Sequence, residues 1–267
     1  MPEISESRNE VSQALCNKDE TQKPTLMMLS GWGVSPDIFD PFAALLSDRF
    51  NLHCLDIPDL ISDKRLSLAE RSERLLSQAP EKAYWLGWSL GGSILIDLAN
   101  YAPDRMLGLV TMATNPCFES QLDWPGMNAE VFAEFKQGYQ TSGQKSLQRF
   151  AALQVGGSSD SRRQLRLLKP SLLQPQAVLH DLLELLAEDR REILKQISQD
   201  KRVPLLSLFA DADALVPISV LNTITDAMPL LLAKEVSGSS HLLFNDQPQL
   251  CARYITQWAD ALEHSDA

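Results

Sequence analysis

The stretch Leu86–Gly92, with the sequence LGWSLGG, is the most informative part of this chain. It contains the pattern G-x-S-x-G, follows the apolar run Ala83–Gly87, and precedes the helical stretch Ser93–Tyr101. A serine in this pattern occupies a sharp turn between a strand and a helix, and its hydroxyl projects from the end of a sheet. The glycines are needed because backbone and helix crowd that turn. The pattern and its context therefore predict that Ser89 is a nucleophile.

Short apolar runs alternate with helical stretches on both sides of this turn. Continuous apolar runs of this length are typical of strands that are buried on both faces of a parallel sheet. The alternation predicts an α/β protein with a mostly parallel, doubly wound sheet. The predicted strands are Thr25–Leu29, Asn51–Asp56, Ala83–Gly87, Leu107–Ala113, Val203–Phe209 and Ala233–Val236, and the predicted helices are Pro41–Leu46, Leu68–Gln78, Ser93–Tyr101, Ile218–Met228 and one that begins near Pro248.

The alternation stops between residues 115 and 188. This segment has helical stretches but no convincing strand, which predicts a helical insertion over the carboxyl ends of the strands, where such sheets bind ligands. We call residues 115–188 the lid. The predicted core then comprises residues 24–114 and 189–267, and residues 1–23 are predicted to form a mobile, polar arm.

A serine nucleophile requires a base, and the base requires an orienting acid. In this type of fold the chain order is serine, acid, histidine. His241 follows a predicted strand and precedes the last helix, so it is the predicted base. The other three histidines fit less well, because His53 lies within a strand, His180 lies in the lid, and His264 lies in the C-terminal tail.

Two aspartates, Asp211 and Asp213, compete for the role of the acid. Both follow the strand Val203–Phe209. We favour Asp213, because it begins the sequence Asp-Ala-Leu-Val-Pro, a form of loop in which such folds usually carry the acid, and we interpret Asp211 as a turn residue. An oxyanion hole requires two N–H donors, which are predicted to be the backbone amides of Leu90 and Trp32.

Several segments resemble the pimeloyl-acyl-carrier-protein methyl ester esterases of biotin synthesis, which have the α/β-hydrolase fold. The resemblance spans residues 26–260, and its most discriminating segments lie in the lid. It implies hydrolysis of a methyl ester on pimeloyl-acyl carrier protein, with release of methanol. The segments are Gly31–Gly33, Leu86–Gly92, Leu109–Ala113, Asn115–Phe118, Asp123–Gly126 and Arg149–Gln154, and the acyl-site residues implied by position are Trp32, Ser89, Leu90, Phe150, Ala151, Ala152, Leu153, Gln154 and His241.

The chain departs from this family at two places. Ser30 stands where the family usually has a histidine before the oxyanion loop, and residues 58–63 replace a longer, glycine-rich loop. Because backbone donors do the main work of an oxyanion hole, activity is expected to survive the first change. The second change affects one wall of the pocket and therefore the preferred acyl length.

The lid has an unusual distribution of charge. The whole chain carries a net charge of −11, but residues 136–169 contain seven basic residues and one acidic residue. Such a patch suits an acidic carrier protein and its phosphodiester-linked arm. The other interpretation is that these basic residues form a solvated helix face that only balances acidic residues elsewhere. The resemblance implies a docking role for Lys145, Arg149, Arg162 and Arg166.

Composition also limits the class of protein. A net charge of −11 disfavours nucleic acid as a partner, and no apolar run approaches the roughly 20 residues of a membrane span. The four cysteines are scattered, as expected for free thiols in a reducing compartment. We predict a cytoplasmic monomer that needs no metal or organic cofactor.

Four apolar side chains of the lid are candidates for a tunnel that holds the acyl chain, or equally for ordinary lid core. They are Phe118, Trp124, Phe150 and Leu153.

Three other functions remain open from the residues alone. The nearest is a general carboxylesterase that acts on short free esters. The same catalytic groups and lid also occur in hydrolases that cleave carbon–carbon bonds. A non-catalytic binding scaffold is the alternative outside the enzymes, and the intact Ser, Asp and His argue against it.

Overall fold

The structure is a computed structural model that describes residues 23–61 and 65–265. The predicted arm, apart from Lys23, lies outside the described residues, as do residues 62–64, which include the end of the segment 58–63.

A six-stranded parallel sheet forms the centre of the described chain, with the order β2-β1-β3-β4-β5-β6. Alternate side chains of each inner strand point to opposite faces, so Met27 and Leu29 enter one hydrophobic core while Leu26 and Met28 enter a second. Helices cover both faces, which confirms the predicted doubly wound α/β fold. The strands are β1 Thr25–Leu29, β2 Asn51–Leu55, β3 Ala83–Trp88, β4 Met106–Met112, β5 Leu205–Ala210 and β6 Leu232–Val236.

Most predicted helices of the core occur within a few residues of their expected bounds. The exception is the predicted helix Pro41–Leu46, where a four-residue helix is followed by turns. The helices of the core are α1 Asp40–Ala43, α2 Ile57–Leu60, α3 Leu68–Leu76, α4 Leu90–Tyr101, α9 Ser219–Ala227, α10 Leu243–Asp246 and α11 Pro248–Ser265; those between β4 and β5 are α5 Ala129–Gln154, α6 Ser161–Leu168, α7 Ala177–Ala187 and α8 Arg191–Asp200.

The segment between β4 and β5 is mainly helical, and its longest helix is bent. Ser142 in α5 has non-helical backbone angles (φ −151°, ψ 58°), so the two halves of α5 run in different directions. Short bridges pair Glu119 with Met127 and Gln121 with Trp124 before α5 begins.

A buried ion pair ties the loop before α8 to α4. Arg190 is 1% exposed and donates two hydrogen bonds to Asp97 of α4, at 2.9 and 2.8 Å. Its guanidinium also donates to the carbonyls of Leu185 and Glu188. The chain entering α8 is thereby fixed against the helix that follows Ser89.

The described cysteines Cys54, Cys117 and Cys251 are free thiols. Burial, with Asp246 nearby, raises the pKa of Cys251 to about 12. Burial and the charge of Asp40 raise the pKa of Cys54 to about 11. Both thiols are therefore protonated and poorly reactive at neutral pH. No helix in the described part of the chain combines the length and apolarity needed to cross a bilayer.

Candidate active site

The predicted functional residues come from four different loops at the same edge of the sheet. Because all six strands are parallel, their carboxyl ends meet at this edge. Trp32 follows β1, Ser89 follows β3, Asp213 follows β5, and His241 follows β6.

The backbone at Ser89 adopts a conformation that is rare for a residue with a side chain. Its φ is 55° and its ψ is −119°, which costs on the order of 1–3 kcal/mol unless the surroundings enforce it. The flanking glycines permit the close packing. A Cβ at Gly87 would lie 2.4 Å from the amide nitrogen of Gly92, and one at Gly91 would lie 2.4 Å from the carbonyl oxygen of Leu29.

Thr114 supports this turn, although no motif in the sequence identifies it. Its hydroxyl is hydrogen-bonded to the carbonyl of Ser89 at 3.2 Å and to that of Met112 at 3.1 Å. A Cβ at Gly92 would lie 2.1 Å from Thr114 Oγ1. The only sequence feature that points to this contact is Gly92, the extra glycine after the motif. A glycine at this position indicates that another group packs closely against the helix.

Asp213 and His241 form a buried pair. Asp213 Oδ2 lies 2.7 Å from His241 Nδ1, and the two side chains are 1% and 0% exposed. Asp213 Oδ1 accepts hydrogen bonds from the amides of Leu215 and Val216 at 2.8 and 3.0 Å. These bonds fix the carboxylate, which in turn favours the proton on Nδ1 and leaves Nε2 as a proton acceptor.

The structure does not join Ser89 to His241 by a hydrogen bond. Nε2 of His241 is buried and has no hydrogen-bond partner among the described residues. The base is nevertheless held beside the nucleophile turn, because Trp88 Nε1 donates to the carbonyl of His241 at 2.9 Å and the two rings lie 5.5 Å apart. Catalytic hydrogen bonds are often long in enzymes without substrate.

Asp211 binds the loop that carries the histidine. Its two carboxylate oxygens accept hydrogen bonds from the amides of Gly238 and Ser239 at 2.9 and 3.0 Å. Burial tends to raise the pKa of Asp211, but these donors outweigh it and leave the pKa below its ordinary value. The two aspartates therefore have different partners, and only Asp213 contacts His241.

The proposed oxyanion donors are the amides of Leu90 and Trp32. Leu90 is the first residue of α4, so its N–H has no partner within the helix. Trp32 lies in the turn after β1, and its indole N–H donates to the carbonyl of Leu179 at 2.6 Å. Ser30, one of the departures from the family pattern, stabilises the same turn by donating to the carbonyl of Val34 at 2.6 Å.

The predicted acyl-site residues 150–154, at the end of α5, are partly buried and partly exposed. The ring of Phe150 lies 5.1 Å from that of Trp32, which places it beside the oxyanion turn. Ala151 and Gln154 are also buried, and Gln154 Oε1 has no hydrogen-bond partner in the described structure. Ala152 and Leu153 are exposed, so their contact with an acyl chain stays a prediction.

The other two tunnel candidates pack within the lid. Phe118 lies edge-on to Phe132, with ring centroids 5.0 Å apart. Trp124 donates from its indole to Asn115 at 2.8 Å, and the guanidinium of Arg191 lies 5.5 Å from its ring. Whether the two side chains also contact an acyl chain stays a prediction.

Comparison with known proteins shows the family to which this chain belongs. The family model described as alpha/beta hydrolase fold matches residues 24–248. This chain belongs to the α/β-hydrolase family. A curated relative from Edwardsiella ictaluri (strain 93-146), named pimeloyl-[acyl-carrier protein] methyl ester esterase, is 36% identical over 89% of this chain and 94% of its own. A relative of the same name from Yersinia enterocolitica is 34% identical over 88% of this chain and 92% of its own.

Solved structures of this family share the fold at low sequence identity. A hydrolase from Oleispira antarctica has a TM-score of 0.73 at 15% identity and matches 90% of this chain and 92% of its own. An esterase from Thermogutta terrifontis has a TM-score of 0.70 at 15% identity and matches 90% of this chain and 91% of its own. The chain thus has the hydrolase fold, and its curated relatives place it among the methyl ester esterases.

The predicted docking residues form an exposed basic surface on the lid of this hydrolase. We define the basic surface as Lys145 and Arg149 on α5 with Arg162 and Arg166 on α6; all four are exposed. None of them forms a salt bridge with another described residue, whereas Lys136, at the other end of α5, lies 3.5 Å from Glu184. The four charges are therefore available to an acidic partner.

Proposed function

We propose that this enzyme hydrolyses the methyl ester of pimeloyl-acyl carrier protein, and that it releases methanol and the free carboxylate in biotin biosynthesis. The observation that carries the substrate assignment is the shared name of the relatives, which are 34–36% identical over 88–89% of this chain. The chemistry is supported by the buried Asp213–His241 pair beside the strained turn at Ser89.

The proposed reaction has two steps. In the first, His241 Nε2 takes the proton of Ser89 as the hydroxyl oxygen attacks the ester carbonyl. The amides of Leu90 and Trp32 stabilise the oxyanion, and the imidazolium then gives its proton to the methoxy oxygen, which leaves as methanol. In the second, His241 takes a proton from water as the water oxygen attacks the acyl-enzyme, and the imidazolium returns that proton to Ser89 Oγ as the carboxylic acid leaves.

Asp213 acts through the histidine in both steps. Its hydrogen bond to Nδ1 holds the imidazole in one tautomer and stabilises the imidazolium that forms during each attack. Because both side chains are buried, water does not compete for this hydrogen bond.

The carrier protein is proposed to dock on the basic surface, outside the lid. Acidic and basic surfaces that face each other accelerate encounter and favour the correct partner more than they strengthen the complex. The net charge of −11 on the whole chain discourages capture of an acidic carrier elsewhere. A cytoplasmic location and a monomeric state remain predictions; sedimentation of the purified protein would test the second.

The proposed function is tested with methyl pimeloyl-acyl carrier protein as the substrate and methanol release as the measurement. We expect Ser89→Ala to abolish turnover and to leave the thermal unfolding curve nearly unchanged. Ser77→Ala, at an exposed position after the end of α3, is the matched control and should retain full activity. Turnover by Ser89→Ala at the wild-type rate would exclude Ser89 as the nucleophile.

A further inference from the structure

The loop that carries His241 is held from a second side by Asp246, the last residue of α10. Asp246 Oδ2 accepts hydrogen bonds from the amide of Ser240 at 2.8 Å and from the Ser240 hydroxyl at 2.6 Å. Asp211 binds two amides that come earlier in the same loop. Two carboxylates therefore hold this loop, and Asp246 binds the residue next to the proposed base.

The other carboxylate oxygen of Asp246 binds the lid. The hydroxyl of Ser158 donates to Asp246 Oδ1 at 2.6 Å and accepts a hydrogen bond from the amide of Asp160 at 3.2 Å. Asp160 caps α6, since its side chain accepts a hydrogen bond from the amide of Arg163. One carboxylate thus joins the start of a lid helix to the residue beside the proposed base.

Two further contacts bring the same part of the lid against the catalytic loops. Gln164, which is buried on α6, donates from Nε2 to the carbonyl of Asn245 at 3.2 Å. Gly157 lies so close to the loop of the catalytic acid that a Cβ there would overlap the carbonyl oxygen of Ala212. The lid therefore packs against both loops, and at Asp246 the lid and the histidine loop bind the same side chain.

Proton transfer requires that the base is placed accurately. His241 Nε2 has to come within about 3 Å of Ser89 Oγ, and a displacement on the order of 1 Å can cost ~10²-fold in rate. Asp213 orients the imidazole, but the position of the ring also depends on the backbone that carries it. Because Ser240 is buried, its amide and hydroxyl would need new partners if Asp246 were removed, and the loop would have to move to supply them.

We propose that Asp246 is a positioning residue. It holds His241 in line with Ser89 through Ser240, and it joins this alignment to the lid through Ser158. The inference rests on the proposed function, in which His241 is the base. Asp246 acts through the backbone of the histidine loop and not on the substrate. The bond to Ser158 makes the alignment of the base depend on how the lid is seated.

The test measures methanol release from two methyl esters, the small ester dimethyl pimelate and methyl pimeloyl-acyl carrier protein, together with thermal unfolding of each variant. Asp246→Ala removes all three hydrogen bonds. Asp246→Asn keeps an oxygen that can accept from Ser240 and gains an NH2 group that can donate to Ser158. The control is Ser67→Ala, which removes the capping box that Ser67 forms with Glu70 at the start of α3 and lowers stability without removing a bond of the histidine loop.

We expect Asp246→Ala to lower kcat about tenfold on both esters and to leave KM within about twofold, because the base is displaced while the pocket is unchanged. Asp246→Asn should recover most of the lost kcat. Ser67→Ala should lower the melting temperature and retain the wild-type kcat. A wild-type kcat in folded Asp246→Ala, or an asparagine variant as slow as the alanine variant, would overturn the positioning role.

The connection to the lid is tested with Ser158→Ala. In the wild-type background this change should lower kcat about threefold, the effect of one lost hydrogen bond. In the Asp246→Ala background, where the partner is already absent, it should have no further effect, because residues that act through one contact are not additive. An equal effect in both backgrounds, or no effect in the wild-type background, would overturn the link between lid and base.

Failure of this inference and failure of the proposed function give different results. His241→Ala should abolish turnover of both esters; if it retains the wild-type rate, His241 is not the base, and the proposed function and the role of Asp246 fail together. If His241→Ala is inactive while Asp246→Ala is as fast as wild type on the carrier-bound ester, the proposed function stands and only the positioning role fails.

Discussion

Asp211 and Asp213 are two residues apart, yet their carboxylates bind different partners. Asp213 Oδ2 lies 2.7 Å from the imidazole of His241. Asp211 instead accepts two backbone N–H groups from the loop that leads to that histidine. One aspartate is thus placed to orient the base, and the other to hold the base's loop. Substitution should separate these roles.

We expect Asp213→Asn to reduce kcat by about 10⁴-fold, because an amide at this position favours the wrong histidine tautomer. Asp211→Asn should retain most activity, since its amide oxygen can still accept one of the two backbone donors. Methanol release from the carrier-bound ester under saturating substrate measures both. A larger loss in Asp211→Asn than in Asp213→Asn would reverse our assignment of the acid.

The lowered pKa of Asp211 has a consequence for acid stability. A carboxyl group whose pKa is lower in the folded state stabilises the fold at pH values above its unfolded pKa, about 3.9. That contribution is lost as pH falls through the folded pKa. The difference in melting temperature between wild type and Asp211→Asn should therefore be largest near neutrality and shrink below about pH 4. A difference that grew in acid would contradict this view of Asp211.

At the scale of elements, the loop that follows the lid is fixed to α4 by the pair formed between Arg190 and Asp97. The side chains are 1% and 10% exposed, so water screens their charges little. Removal of one partner from such a pair leaves an uncompensated charge in the interior. The helix that begins beside Ser89 is therefore coupled to the entry of α8.

Arg190→Met should lower the free energy of unfolding by about 3–5 kcal/mol, because it strands the carboxylate of Asp97. Arg190→Met/Asp97→Leu should recover part of this loss. The control is Arg202→Met, which breaks an exposed pair with Asp104 in which the side chains are 54% and 87% exposed; it should cost less than about 1 kcal/mol. Urea denaturation measures all three, and an equal cost for the two single variants would refute a buried pair.

The whole molecule is acidic, but its lid presents a basic surface. Such separation of charge mainly affects how fast and in which orientation a charged partner arrives. The attraction to the basic surface acts only on substrates that carry charge over a large surface. A small ester such as dimethyl pimelate carries no such charge. The carrier-bound and free esters should therefore respond differently to changes of charge.

Arg149→Glu/Arg162→Glu/Arg166→Glu should reduce kcat/KM on the carrier-bound ester far more than on dimethyl pimelate. Higher salt should reduce the wild-type rate on the carrier ester only. A matched control reverses three exposed charges elsewhere on the chain, Lys82, Lys234 and Arg253. Equal losses on both esters, or equal losses in the control, would rule out docking on the basic surface.

Some of this site could be predicted because its determinants are local. The apolar runs and helical stretches around Leu86–Gly92 predicted the α/β class, since strand and helix periodicity depends on neighbouring residues. The glycines beside Ser89 predicted the tight turn, because steric crowding there follows from the turn itself. The structure confirms the α/β class. It also has a tight turn at Ser89, where φ is positive.

Other features were decided by which loops meet at the sheet edge. Sequence alone favoured Asp213 over Asp211 only by the form of its loop. The contact with His241 depends on the lengths and angles of two loops that follow different strands. The support of Ser89 by Thr114, the hydrogen bond from Trp88 to His241 and the bend at Ser142 also arise from packing between distant segments. The sequence by itself thus determined the fold class and the nucleophile turn, whereas only the tertiary structure decided the partners of each charged group, because long-range contacts leave no periodic signal along the chain.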